Sequence, residues 1–246
     1  MMRFARTLQL LGHAAMDRLC RAQVAVVGLG AVGSYATEAL ARAGVGHLIL
    51  CDHDVVGESN TNRQLYALGS TLGRPKVEVA AERVQDINPD CQVTARRIFV
   101  APKQASTLLD PSWDALVDAI DGVNAKVHLI AAAVGLGIPV VSSMGAAAKL
   151  DPSCIRTADL SQTNVCPLAQ ILRKRLRRLG ITQGVRCVFS TEKPQNTNPP
   201  LLGETPEYGT QGRPRQPLGS ISYLTGMFGL MAAAEVLRIL LPEIRR

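Results

Sequence analysis

Gln23-Val24-Ala25-Val26-Val27-Gly28-Leu29-Gly30-Ala31-Val32-Gly33-Ser34 is the stretch from which the fold is read. A short apolar run enters a turn of three glycines, and Ser34 to Ala43 then has helical composition until Gly44 stops it. His47 to Cys51 is a second apolar run, ending at Asp52. Strand, turn, helix and strand in that order make a βαβ unit with a right-handed crossover, and a ligand belongs at the carboxyl ends of its strands.

The alternation continues outward. Pro75 opens a helix through Ile87, closed by Asn88-Pro89, and Gln92 to Ile98 alternates as a strand. Ala115 to Ile120 is a further buried strand, Asn124 to Leu136 a helix and Val140 to Ser143 another strand. After Asp151 the pattern is less regular: Arg186 to Ser190 reads as a strand, and Glu192 to Gln216 as a long proline-containing loop. The expectation is an α/β chain with a Rossmann-like, doubly wound, mostly parallel sheet, helices on both faces and a C-terminal extension. It is read as one domain over 1–246, with a nucleotide-binding core at 1–150 and a substrate-side region at 151–246 that holds the 192–216 loop and a last helix.

Composition agrees with a buried parallel sheet. Of the 246 residues 47% are hydrophobic but only 4% aromatic, so Ala, Val, Leu and Ile must fill the interior. A net charge of +7 suits a polyanionic partner, and Arg173-Lys174-Arg175-Leu176-Arg177-Arg178 is its densest run. No aromatics interleave there, which argues against base stacking by that segment. The six cysteines contain no CxxC pair, which argues against structural zinc and a disulfide framework and fits reduced thiols in a cytoplasm. Cys187 and Cys166 are candidate thiols, Cys187 being read as a buried, inert strand residue. Residues 1–20 read as an amphipathic helix rather than a secretory signal. Gln216 to Ala234 lacks charge, but its glycines and polar residues favour a buried helix over a membrane span.

The chemistry is concentrated after the glycine turn. Gly28 permits the tight bend, Gly30 a close approach of backbone to phosphate, and Gly33 the packing of helix on strand. Asp52 stands where a ribose-hydroxyl acceptor is expected, in ATP and NAD sites alike. Asn62, Arg63 and Gln64 supply donors just beyond it, and Lys76 starts the next helix. Adenylyl transfer develops charge on the α-phosphate and departing pyrophosphate, so fixed cations there favour ATP. Asp121 adds a late carboxylate.

Gly28-x-Gly30-x-x-Gly33, Asp52-x-Asp54, Asn60-Thr61-Asn62-Arg63-Gln64, Gly73-Arg74-Pro75-Lys76 and Asp118-Ala119-Ile120-Asp121 resemble, in order and spacing, the ubiquitin-activating-like adenylyltransferases of the ThiF/MoeB/HesA superfamily. Within it the chain is most similar to the tRNA threonylcarbamoyladenosine dehydratases, through Arg3-Phe4, Leu11-Gly12, Ile87-Asn88-Pro89, Cys187-Val188-Phe189-Ser190-Thr191-Glu192 and Gly219-Ser220. The resemblance implies a homodimer that uses ATP with a divalent cation, Mg2+, to activate the threonyl carboxylate of the modified adenosine beside the anticodon of a tRNA, with cyclisation and net loss of water. It also implies contact with cysteine-desulfurase or sulfur-acceptor proteins. Carried over, the turn glycines, Asp52, Asp54 and Gln64 hold ATP; Asn62, Arg63 and Lys76 hold its phosphates; Asp121 takes the metal or the reacting centre. Arg6 is the arginine that enters the neighbouring subunit's site.

Three other readings remain open at this stage. An activator of a sulfur-carrier protein would adenylate a C-terminal glycine with the same ATP site, against which the missing CxxC pairs count. An NAD-dependent oxidoreductase rests on the glycine turn and Asp52 alone. A non-catalytic nucleotide-binding regulator would bind ATP without releasing pyrophosphate.

Overall fold

A computed structural model describes residues 2–101, 104–195 and 218–244. Its seven strands are β1 (Gln23–Val27), β2 (His47–Asp52), β3 (Gln92–Arg97), β4 (Ala115–Asp118), β5 (Val140–Ser143), β6 (Ile155–Asp159) and β7 (Val185–Ser190). They form one sheet in the order β3-β2-β1-β4-β5-β7-β6, parallel except for the antiparallel edge strand β6. The order reverses between β1 and β4, which opens a crevice at their carboxyl ends.

Eight helices accompany the strands among the described residues: α1 (Ala5–Leu11), α2 (His13–Arg21), α3 (Gly33–Ala43), α4 (Lys76–Ile87), α5 (Ala105–Leu108), α6 (Val123–Gly135), α7 (Pro167–Arg177) and α8 (Ser222–Leu240). Alternate strand residues select the face each helix covers. Val24, Val26, Leu48, Leu50 and Val117 share one core with side chains of α2, α3, α4 and α8. Ala25, Val27, Ile49, Leu116 and Cys187 share the other with α5, α6 and α7. Helices therefore flank both faces, as the βαβ alternation predicts.

Several boundaries differ from the sequence reading. The amphipathic N-terminal segment is two helices, because Gly12 takes φ 80 between α1 and α2. β4 ends at Asp118 and not Ile120, leaving 119–122 as a loop over the crevice. β6 carries Arg156, Thr157 and Asp159 with only Ile155 buried, so an edge strand with one wet side shows no apolar run to read. Most of the expected 192–216 loop lies outside the described residues.

α8 is long and apolar enough to cross a membrane by length and composition alone. Here it packs on the α3 side of the sheet, and its glycines show why. A Cβ on Gly229 would stand 2.3 Å from the Val32 carbonyl oxygen, and one on Gly226 3.1 Å from the Tyr35 ring. The bare backbone of α8 thus braces the first turn of α3. Its buried Glu235 receives Arg186 of β7 at 2.7 and 2.9 Å, which ties the helix to the sheet.

Candidate active site

The glycine turn closes over the crevice by backbone contact. Gly28 has φ +92, and a Cβ there would lie 2.7 Å from the Ala119 carbonyl oxygen; a Cβ on Gly33 would lie 1.7 Å from the Gly28 oxygen. Both positions admit hydrogen only. Gly30 instead faces the Gln64 amide, whose Nε2 is 3.8 Å from a Cβ built there. The 60–66 segment is drawn down onto α3: Leu65 N–H donates to the Ser34 hydroxyl at 3.2 Å, and the Tyr66 hydroxyl to the Ser34 carbonyl at 3.2 Å.

At the end of β2, Asp52 is almost fully buried and locks turn to strand. One carboxylate oxygen accepts from Leu29 N–H at 2.6 Å, the other from Asp54 N–H at 2.9 Å. Asp54 in turn faces Lys76, whose Nζ lies 3.1 Å from Oδ2 and whose own N–H donates to the Asp54 carbonyl at 3.0 Å. Lys76 is buried at the first position of α4, so its ammonium is held at the rim of the crevice by the chain Leu29–Asp52–Asp54–Lys76. His53 lies between the two carboxylates, with Nε2 3.1 Å from Asp54 Oδ1 but out of line for a hydrogen bond. Its ring packs edge-on against Phe99. One ligand-capable atom from each of Asp52, His53 and Asp54 falls within 4.8 Å of the others. The backbone donors on Asp52 and the Lys76 ammonium on Asp54 already compensate that charge, and a cation would have to compete with them.

Arg63 donates to the Ser59 carbonyl at 2.7 Å and to the Asn62 side chain at 2.9 Å; the Asn62 amide donates to the Ser220 carbonyl at 3.0 Å, just before α8. These residues stand next to Gln64 and hence to Gly30. Asp121 is exposed in the loop after β4, two residues beyond the Ala119 that touches Gly28. It is not the N-cap of α6, which is Gly122.

That loop is held by groups the sequence reading did not single out. Lys126, wholly buried in α6, reaches Asp118 Oδ2 at 2.8 Å and the Ile120 carbonyl at 3.0 Å, and Ser142 donates to the same Asp118 oxygen at 2.7 Å. Burial pushes the Asp118 carboxyl pKa up, opposed by Lys126 and Ser142. The available signal was a lysine set between Ala125 and Val127 in the mostly apolar α6. Lys149 is a second buried amine, beyond β5, with Nζ 2.7 Å from the Gly145 carbonyl. Burial lowers its pKa, against the pull of Cys166 and Glu192.

Arg6 stands apart within one chain. Arg3 donates to the Asp86 and Ile87 carbonyls at the end of α4, and Phe4 lies against Gly44 at the end of α3. The start of α1 is therefore about 16 Å along α3 from the glycine turn, at 1.5 Å per residue. Cys187 is wholly buried, and burial pushes its thiol pKa up to about 12. It is no nucleophile near neutral pH.

The chain matches the ThiF family over residues 4–245. It belongs to the ThiF family. Among ThiF relatives it is 38% identical over 242 residues to the tRNA threonylcarbamoyladenosine dehydratase of Bacillus subtilis (strain 168), covering 98% of this chain and 95% of the relative. The crystal structure of the E. coli tRNA N6-threonylcarbamoyladenosine dehydratase in complex with ATP superposes with a TM-score of 0.87 at 37% identity, covering 99% of this chain and 95% of the other. The sulfur carrier protein ThiS adenylyltransferase of Escherichia coli (strain K12) is 34% identical over 145 residues, 58% of this chain and 57% of the relative. The adenylyltransferase and sulfurtransferase MOCS3 of Culex quinquefasciatus is 32% identical over 241 residues, 97% of this chain but 47% of the relative, so the dehydratases differ from it in higher identity and in matching over nearly the whole of both chains.

Proposed function

We propose that this chain uses ATP to dehydrate N6-threonylcarbamoyladenosine beside the anticodon of a tRNA, through adenylation of the threonyl carboxylate. The observation that carries the reading is the linked set of Gly28, Asp52 and Asp54 at the carboxyl ends of β1 and β2 with Lys76 at the start of α4, and the reading assigns Asp121, in the loop after β4, to the same crevice. Gly28 and Gly33, which admit no Cβ, close the turn tightly, Gly30 leaves its backbone open to a phosphate, and the α3 N-terminus adds N–H groups for an anion. Asp52 keeps acceptor capacity for ribose hydroxyls. Lys76, Arg63 and Asn62 place cation and donors along the phosphates, where charge grows as pyrophosphate leaves.

In the first step a carboxylate oxygen bonds to the α-phosphorus and the bond to pyrophosphate breaks. In the second a nitrogen of the same nucleoside bonds to the activated carbonyl, AMP departs and a proton is released, so the sum is loss of one water. Nucleophile and electrophile sit on one nucleoside, so proximity replaces an enzyme nucleophile. A divalent cation, Mg2+, held by Asp121 would screen the phosphate charge.

The reading includes a homodimer in the cytoplasm, in which Arg6 completes the partner's site, and exchange with sulfur-relay proteins. Exposed Tyr223, Met227 and Leu230 recur along one side of α8, an apolar stripe of the kind that subunits cover. The deciding assay is incubation of the protein with ATP, magnesium and threonylcarbamoyl-modified tRNA, followed by nucleoside mass analysis. Loss of one water with AMP formation is expected. Pyrophosphate exchange that appears only with a diglycine-tailed protein would replace this reading with the sulfur-carrier one.

A further inference from the structure

α7 buries Ala169, Leu172 and Leu176 against the α6 side of the sheet, so its cations are confined to the opposite side and do not ring the helix. Lys174, Arg175, Arg177 and Arg178 are exposed, with Arg173 at the margin. Cations in a last helical turn offset the helix dipole, which accounts for one or two of these five. The remainder need another explanation, because among the described residues no carboxylate pairs with them.

Among the described residues none of these five cations makes an ion pair. Exposed Arg3, Arg6, Arg21, Arg97 and Arg156 make none there either, but they are scattered, whereas α7 gathers five such cations on one helix face, and other surface arginines are compensated. Arg18 pairs with Glu243, Arg42 and Arg83 with Glu38, Arg74 with Glu82, and Arg186 and Arg238 with Glu235. The α7 arginines that are tethered are tethered to neutral acceptors. Arg173 donates to the Leu160 and Thr163 carbonyls and the Thr163 hydroxyl, and Arg175 to the Asn124 side chain. Such bonds orient a guanidinium and leave its charge uncompensated. Arg173 and Arg177, and Lys174 and Arg178, are i,i+4 pairs, which sets two rows of cations about 6 Å apart along the helix.

The patch is continuous with the crevice. Asn124, which holds Arg175, lies in the first turn of α6, three positions after Asp121. A polyanion whose reacting nucleotide enters beside Asp121 would therefore pass over the start of α6 onto α7. The apolar side of α7 is spent on the core, so a bilayer would find little to bury there. The absence of aromatic side chains on the helix favours contact with phosphates over stacking on bases.

We infer that the exposed face of α7, carrying Lys174, Arg177 and Arg178 between Arg173 and Arg175, docks the sugar-phosphate backbone of the RNA whose modified nucleotide reaches the crevice. This rests on the reading that the substrate is a tRNA. The test compares Lys174→Gln/Arg177→Gln/Arg178→Gln with a control of equal charge change, Arg18→Gln/Arg42→Gln/Arg238→Gln, in the full chain. All six side chains are exposed, and none is among the residues assigned to the ATP site. Binding of modified tRNA is followed against salt by fluorescence anisotropy, with steady-state turnover alongside.

The α7 variant should lose about 2–3 units from the slope of log K against log salt, and its KM for modified tRNA should rise about tenfold or more. Its kcat and its affinity for ATP alone should stay at the wild-type level, and the control should change the slope by less than about one unit. An α7 variant with the wild-type slope and KM overturns the inference, as do equal losses in both variants; an acidic protein as the true occupant would give the first of these. Wild-type enzyme that binds and converts no modified tRNA overturns the functional reading instead.

Discussion

At the scale of single residues, the site depends on two atoms that are absent and one charge that is hidden. Gly28→Ala places a methyl 2.7 Å from the Ala119 oxygen at a φ of +92, so crevice and turn must move apart. ATP affinity measured by calorimetry should fall at least about tenfold, and a variant that binds ATP as wild type does would remove the cradle from the argument. Lys126→Met leaves Asp118 buried without its ammonium, which costs about 3–5 kcal/mol when one partner of a buried pair is removed. The double variant Asp118→Asn/Lys126→Met should recover part of that loss in chemical denaturation. If the single variant unfolds like wild type, the pair does not hold the Asp121 loop.

Elements are positioned by contacts between them more than by their own propensities. α8 lies against α3 because Gly226 and Gly229 remove side chains where Tyr35 and the Val32 carbonyl come close. Gly229→Val should lower the melting temperature and weaken ATP binding together, since the first turn of α3 forms part of the cradle. A drop in stability with unchanged ATP affinity would separate α8 from the site. Glu235 supplies a pH signature. Burial raises its pKa, but Arg186 and its other partners outweigh burial, so the folded value lies below the usual 4.5. A depressed carboxyl contributes stability that is present above the unfolded value and is lost as pH falls through the folded one. Wild type should therefore melt above Glu235→Gln at neutral pH, with the gap closing well below pH 4.5; a gap independent of pH would deny the ion pair that role.

For the whole molecule, the geometry of Arg6 sets a test of assembly. Within one chain α1 begins at the far end of α3 from the turn, which suits the proposed reach of Arg6 into a second subunit's crevice. On the proposed homodimer, Arg6→Ala and Lys76→Ala variants should each be nearly inactive. Mixed and re-equilibrated in equal amounts, they should regain about one quarter of wild-type turnover, since half of the dimers are mixed and each holds one intact site. No recovery on mixing, with dimers shown by ultracentrifugation, would place Arg6 outside the partner's site.

Glycine spacing, the apolar runs and the carboxylate after β2 were legible in the chain because they are local: a turn, a strand and a helix start are specified within a dozen residues. The same holds for Lys76, announced by Gly73-Arg74-Pro75. What the linear order concealed is contact between distant segments. Lys126 looked like an ordinary helix lysine until α6 packed it onto Asp118, and β6 had no apolar pattern because an edge strand buries one side only. The counter-charge of α7 belongs to this second kind as well. A run of cations is written in the sequence, but whether acids fold against it depends on which surfaces the sheet order brings together, and here none of the described ones does.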